Sequence, residues 1–315
     1  MAVSDHGCVL GVDVGGTKTA LLLADVASGG EIVRETFTTP TGEGPDGFVT
    51  ALIERAHSLC VRAGREREDL RAAGVAVPGI VGRKGFVIEA GNLAGWNHIP
   101  LSAIVAKRFG IPVYVDQDAN AAALGERWRG VAQAMHNFVF LAVGTGVGAG
   151  LVINGRLHRG YHQAAGEVGD FVFARGDLAR ARGESGLSTE VGGAEIRGEA
   201  RRISGGTGIG AREAIEAGLA ETGPFADLTA RVVDYLALTV ANIAHLVDPE
   251  AIVFGGGTGS SEPLVHAVRE RAFPRMGEPP KLLVSALRED AQLHGAVFGA
   301  LWQLDPSLAL REELR

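Results

Sequence analysis

Three glycine turns, each behind an apolar run, are the segments best placed to do chemistry: Gly15-Gly16-Thr17, Gly144-Thr145-Gly146 and Gly255-Gly256-Gly257. Backbone N–H groups approach phosphate oxygens closely only where no side chain intervenes. One such turn commonly does no more than reverse the chain, whereas three in this order predict a nucleotide phosphate site. Lys18 closes the first of them, in Gly11-Val-Asp-Val-Gly-Gly-Thr-Lys18. Asp13 lies within that apolar run, where an unpaired carboxylate is costly. It is expected either to help hold Mg²⁺ beside the phosphates or to accept backbone hydrogen bonds in the turn.

A second group of carboxylates sits in Val115-Asp-Gln-Asp-Ala-Asn-Ala-Ala-Ala-Leu-Gly-Glu126. A strand is expected to end at Asp116 and a helix to begin near Ala119. Asp116 or Asp118 is then either a helix N-cap or a base at the helix entrance for an attacking hydroxyl, and residue chemistry leaves both open. Gly91-Asn-Leu-Ala-Gly-Trp-Asn97 offers Asn amides that both donate and accept. Gly166-Glu-Val-Gly-Asp170 brings Glu167 and Asp170 within reach of one ligand. For each of these two stretches a plain turn is the competing reading.

The elements that must position these residues read as a repeated plan. Cys8 to Val14 and Thr19 to Ala24 predict two strands joined by the first glycine turn, and Glu31 to Phe37 a third. A helix is expected over Pro45 to Ala63 and a buried strand over Ala72 to Val77. Asn137 to Val143 then predicts a strand, the second glycine turn follows, and Leu151 to Ile153 leads into an Asn154-Gly155 hairpin signal. Helical periodicity returns from Asp227, a candidate N-cap, to Val247, followed by a strand at Ala251 to Phe254 and the third glycine turn. The expectation is a duplicated α/β unit, with domains at 1–115 and 116–291 flanking a cleft and a last helix from about Gln292 packing back onto the first.

The bulk properties bound the function. The chain has 315 residues, 46% hydrophobic and 21% charged, an ordinary globular composition that suggests two domains. A net charge of −7 argues against a nucleic-acid-coating surface. The longest uncharged apolar run, Phe138 to Ile153, is glycine-broken and short for a membrane span, and no signal peptide is recognised. The two cysteines, Cys8 and Cys60, read as small buried hydrophobes. Neither a disulfide framework nor a cysteine zinc site is expected, and a reducing cytoplasm is the expected setting.

In order and spacing these motifs resemble the ROK family, bacterial sugar kinases and sugar-responsive repressors on the actin/hexokinase (ribonuclease H-like) fold. The likeness runs from Gly11 through Gly299. Gly11 to Lys18 resembles the family's first phosphate motif, Gly144 to Gly150 its second, and Ile252-Val-Phe-Gly-Gly-Gly257 its adenosine-side motif. The resemblance thus implies ATP with Mg²⁺. Asp116-Gln-Asp-Ala-Asn-Ala-Ala-Ala123 resembles the catalytic segment, which usually reads Asn-Asp-Ala-Asn. It implies Asp118 as general base, with Gln117 replacing a substrate-contacting Asn. Asn92 and Glu167 fall on sugar-binding positions, and Glu190 on a sugar-binding Glu.

Two departures stand out. Asp170 occupies the place of a His that in the family contacts sugar and ligates a structural zinc, and Ala181 to Ser188 lacks the family's cysteines. Structural zinc is therefore expected to be absent. The resemblance implies phosphorylation of a hexose, glucose first. The alternatives are an N-acetylhexosamine, an amino sugar whose ammonium Asp170 could pair with, fructose, or a sugar-binding pseudokinase. Because the chain starts at the first strand, no helix-turn-helix is expected, and a regulator is disfavoured. The family implies a homodimer or homotetramer.

Overall fold

The computed structural model describes residues 7–91, 93–180, 185–206, 208–220 and 222–308. In chain order the strands are β1 Cys8–Val14, β2 Lys18–Asp25, β3 Glu31–Thr38, β4 Leu70–Val77, β5 Ile80–Gly82, β6 Phe86–Glu89, β7 Val113–Gln117, β8 Phe138–Val143, β9 Val147–Ile153, β10 Arg156–His158, β11 Ala251–Gly255 and β12 Lys281–Val284. The α-helices are α1 Gly44–Arg62, α2 Leu101–Phe109, α3 Asp118–Arg129, α4 Leu187–Val191, α5 Gly193–Ile203, α6 Ala211–Gly218, α7 Ala226–Val247, α8 Gly256–Gly259, α9 Glu262–Ala272 and α10 Ala291–Leu304. The chain forms two compact units, one of 1–129, 155–164 and 290–315, the other of 130–154 and 165–289.

Unit 1 is built on a sheet of order β3-β2-β1-β4-β7. β1 pairs antiparallel with β2 and parallel with β4, which pairs parallel with β7. Side chains alternate across a strand, so successive residues of β1 serve different cores. Leu10, Val12 and Val14 join the cluster formed with α1 and α2, and Val9 joins Leu293, Val297 and Leu301 of α10. Cys8 and Cys60 are free thiols buried in the first cluster.

The backbones around α10 approach so closely that side chains are excluded. A Cβ on Gly295 would lie 1.7 Å from the Ala121 carbonyl oxygen, and one on Gly125 would lie 2.2 Å from that of Ala291. Gly74 of β4 meets the Ala296 carbonyl in the same way, at 1.9 Å. This contact explains why the boundary falls after Arg129 rather than at 115/116: α3 is clamped by α10 and belongs to unit 1. A share of the chain's glycines thus serves helix packing rather than ligand turns.

Unit 2 repeats the plan with the order β9-β8-β11-β12. β8 pairs antiparallel with β9 and parallel with β11, and β11 pairs parallel with β12. Val139, Leu141, Ile252 and Phe254 pack with Leu228, Val232, Leu236 and Val240 of α7. Among the described residues α7 is the one helix long and apolar enough to cross a membrane, with mean hydropathy 1.3. Those apolar residues line the core of this unit. Two local expectations are corrected. Phe225, not Asp227, stands at the N-cap position of α7, with no side-chain cap hydrogen bond, and Asp227 sits in the first turn, where its charge suits the helix dipole. The third glycine stretch is not a turn, because Gly255 ends β11 and Gly256 opens α8.

Candidate active site

On unit 1 the first glycine turn is the β1–β2 hairpin, closed by a hydrogen bond from the Gly15 N–H to the Lys18 carbonyl at 2.9 Å. A Cβ on Gly15 would lie 2.8 Å from that same oxygen, so the closure itself demands glycine. Thr39 braces the turn from outside. Its hydroxyl donates to the Gly15 carbonyl at 2.8 Å, its N–H donates to the Thr17 carbonyl at 3.0 Å, and the buried Thr19 hydroxyl lies 2.9 Å from its own. Thr17 and Lys18 stay exposed at the tip. Gly16 is partly exposed beside them.

Asp13, two residues before the turn, is only partly accessible. Burial, and then the negative charge of Asp118, push its pKa up to about 7, with Lys18 pulling the other way. Asp13, Lys18 and Asp118 therefore share one electrostatic neighbourhood. Asp118 opens α3 directly after β7, is partly buried, and accepts the Ala119 N–H on Oδ1 at 2.7 Å. Its carboxylate thus bonds within the first turn of its own helix while remaining partly accessible. Gln117, expected in the loop before the helix, is instead the buried last residue of β7.

Asn92 lies outside the described residues. Around it, Trp96 is buried against Phe48 in an edge-on contact with centroids 4.9 Å apart, and Asn97 Oδ1 accepts the Ala90 N–H at 3.0 Å. That amide closes the turn, so one of the two Asn side chains read as ligand groups has a structural task.

On unit 2 the Gly144–Gly146 turn is docked onto the start of α5. The N–H groups of Gly193 and Ala194 donate to the carbonyls of Gly144 and Thr145 at 2.8 and 3.1 Å. Thr145 and Gly146 themselves remain exposed. The glycines of the third stretch differ in purpose. Gly255 is glycine because a Cβ would strike the Phe140 ring at 2.1 Å, and Gly256, at φ 79°, would strike the Val143 backbone. Gly257 has open space at its Cβ position and is the member able to face a ligand.

The Gly166–Asp170 loop lies on β9. A Cβ on Gly166 would meet the Ala149 carbonyl oxygen at 1.9 Å, and one on Gly169 would meet Ser188 Oγ at 2.4 Å. Ser188 Oγ also accepts the Val147 N–H at 3.1 Å, so this α4 residue ties the phosphate-type turn to the acidic loop. Glu167 and Asp170 are partly buried at the two ends of the 3₁₀ turn Val168–Asp170. Glu190, on α4 with Ser188, has an Oε2 3.5 Å from Arg231 Nε, while the rest of the Arg231 fork grips Glu199. The structure thus joins Gly144–Gly146, Glu167, Asp170 and Glu190 on one unit, and Asp13, Gly15–Lys18 and Asp118 on the other. Residues 181–184 lie outside the described residues, and Ser185 to Ser188 offer no thiolate beside Asp170. That donor set does not fit a structural zinc site.

Thr39 and Ser188 escaped the sequence reading because neither belongs to a motif. Each braces a glycine turn from a distant stretch of chain.

With this geometry, residues 9–304 match the ROK family. The chain belongs to the ROK family. It is 30% identical to a glucokinase of Halalkalibacterium halodurans, over 93% of each chain. It is 29% identical to a xylose repressor of Caldicellulosiruptor bescii, over 93% of this chain and 78% of that protein. Among solved structures it is similar to a ROK family glucokinase from Streptomyces griseus in complex with glucose and AMPPNP. There the TM-score is 0.79 and the identity 27%, over 93% of this chain and 99% of that one. The fold of this ROK protein is accordingly actin/hexokinase-like, with a glycine-turn hairpin and parallel strands repeated in both units.

Proposed function

We propose that this ROK protein is an ATP-dependent sugar kinase acting on a hexose, with glucose as the first candidate. The observation that carries the reading is Asp118: an accessible carboxylate at the entrance of α3, on the unit that also holds Asp13 and the Gly15–Lys18 hairpin. A base so held can take the proton of an attacking hydroxyl as phosphoryl transfer proceeds. The similarity to a glucokinase and to a glucokinase structure holding glucose and AMPPNP supports both the donor and the sugar.

Gly15, Gly16 and Thr17 on unit 1, and Gly144, Thr145 and Gly146 on unit 2, would present N–H groups to phosphate oxygens, with Lys18 adding charge. Gly257 would face the nucleoside. Mg²⁺ arriving with the nucleotide would neutralise phosphate charge. Asp13 would help hold such a cation in its carboxylate form, and because burial and Asp118 raise its pKa to about 7, that role would strengthen as pH rises through about 7. Glu167, Asp170 and Glu190, with Asn92, would contact sugar hydroxyls, whereas Gln117 is buried at the end of β7. A cytoplasmic homodimer or homotetramer completes this reading.

The test is ADP release over hexoses and N-acetylhexosamines, for wild type and Asp118→Asn. Glucose-dependent release that vanishes in the variant is expected. Undiminished release in the variant would remove Asp118 from the role of base. No release with any sugar would favour a sugar-binding protein, as the similarity to a xylose repressor also allows.

A further inference from the structure

β7 reads Val113-Tyr-Val-Asp-Gln117, and all five of its residues are buried. A carboxylate inside such a strand destabilises the fold unless its lone pairs are met. For Asp116, 2% exposed, they are met from two directions. Oδ1 accepts the Gln117 N–H at 2.8 Å and the Asn120 side-chain amide at 3.1 Å, both at the β7–α3 junction. Oδ2 accepts Arg159 Nη2 at 2.5 Å, Arg159 Nε at 3.2 Å and the Tyr114 hydroxyl. Arg159 Nη2 also donates to the Tyr114 hydroxyl oxygen at 3.0 Å. Burial first, and then the charge of Asp116, hold the Tyr114 pKa well above its ordinary value, so the phenol keeps the proton it donates.

The two oxygens divide the work. One ties down the backbone that turns into α3, and the other is fixed by a guanidinium from a segment 43 residues away. With one oxygen held by two donors of the guanidinium and the other by the Gln117 N–H and the Asn120 amide, the carboxylate has little freedom to turn. Asp118 follows two residues later, at the first position of α3. With α3 clamped on α10, what Asp116 holds is the entrance of that helix.

We propose that Arg159 is a positioning residue: through Asp116 it sets the β7–α3 junction, and so the direction of the Asp118 carboxylate. The proposal rests on the reading of Asp118 as the base and adds to it an arginine that acts through Asp116. A cavity of about 480 Å³ lined by Arg159, Asp116, Tyr114, Arg83, Lys84 and Trp302 reaches this pair from within unit 1. It is large enough to admit a free guanidinium ion where the arginine has been removed.

The experiment uses Arg159→Ala, Arg159→Lys and Asp116→Asn in the full chain. Arg159→Ala should lower kcat about 10- to 100-fold with sugar KM nearly unchanged, the size of effect a small misplacement of a catalytic group produces. Arg159→Lys, which keeps the charge without the fork, should stay impaired. Millimolar guanidinium should restore Arg159→Ala but neither Asp116→Asn nor wild type, with sodium chloride at equal ionic strength as control. Hydrogen exchange at the Gln117 amide, which donates to Asp116, gives a readout that needs no turnover. It should quicken in Arg159→Ala and slow again with guanidinium. Unchanged exchange at Gln117 would overturn the proposal even if the chain phosphorylates no sugar. So would a kcat loss that guanidinium leaves untouched while exchange rises throughout unit 1.

Discussion

The β7–α3 junction of unit 1 and the Gly166–Glu190 region of unit 2 both carry acidic side chains read as ligand or catalytic groups, and they hold them differently. At β7–α3 the carboxylates sit at the end of a buried strand and the start of a helix that α10 clamps through glycine contacts. In unit 2, Glu167 and Asp170 bracket a single 3₁₀ turn, and Glu190 rides on a five-residue helix beside an arginine shared with Glu199. Groups on rigid elements are held to a narrow range of directions, whereas groups on short loops adapt. On the proposed reading, unit 1 would hold the fixed chemical step and unit 2 the contact that varies with the sugar.

The sharpest way to break this comparison is Asp118→Asn, expected to lower kcat by about 10²–10⁴ with sugar binding retained, as measured by ADP release and by titration calorimetry. An equal loss from Glu167→Gln would erase the distinction between the units.

Next in size is a pH effect at Asp13. Its folded pKa of about 7 lies above the ordinary 3.8. Between those values the native state holds a proton that the unfolded chain has lost, so this group's contribution to stability falls as pH rises from about 4 to 7 and is level above. Asp13→Asn should lack that slope. In urea unfolding without nucleotide or divalent metal, it should match wild type near pH 4 and exceed it by at most about 4 kcal/mol near pH 8.

A smaller effect is expected from Gly295→Ala. The added methyl meets the Ala121 backbone and should cost about 1–3 kcal/mol by overpacking. Gly257→Ala, with open space, should leave stability nearly unchanged. A further small effect belongs to Arg231→Ala. Its partly exposed contact with Glu190 is worth under about 1 kcal/mol, and its removal should shift sugar KM more than stability if Glu190 serves the ligand.

Much of the fold was legible because its signals are local. Near-continuous apolar runs marked β1, β2 and β8, and the Asn154-Gly155 pair, both at positive φ, follows β9 where the turn signal announced it. Residue chemistry left Asp116 and Asp118 both open as cap or base, and the resemblance to the family favoured Asp118. How differently the two are held was not legible in the segment, since both carboxylates stand at the same strand–helix junction. Asp116 is withdrawn into bonds with Tyr114, Asn120 and Arg159, and Asp118 is left accessible. The unit boundary was misjudged for a related reason: nothing near residue 115 announces that α3 will be gripped by a helix from the far end of the chain.

By itself the sequence determined the repeated strand–glycine–strand plan, the family, and the residue types available for phosphate and hydroxyl chemistry, because periodicity and turn preference act over a few neighbouring residues. Only the tertiary structure decided which glycines serve packing and which stay open, which aspartate is spent on the scaffold, and that Arg159 is the residue spending it. Those outcomes depend on contacts between segments far apart in the chain, and distances in space are set by the folded whole.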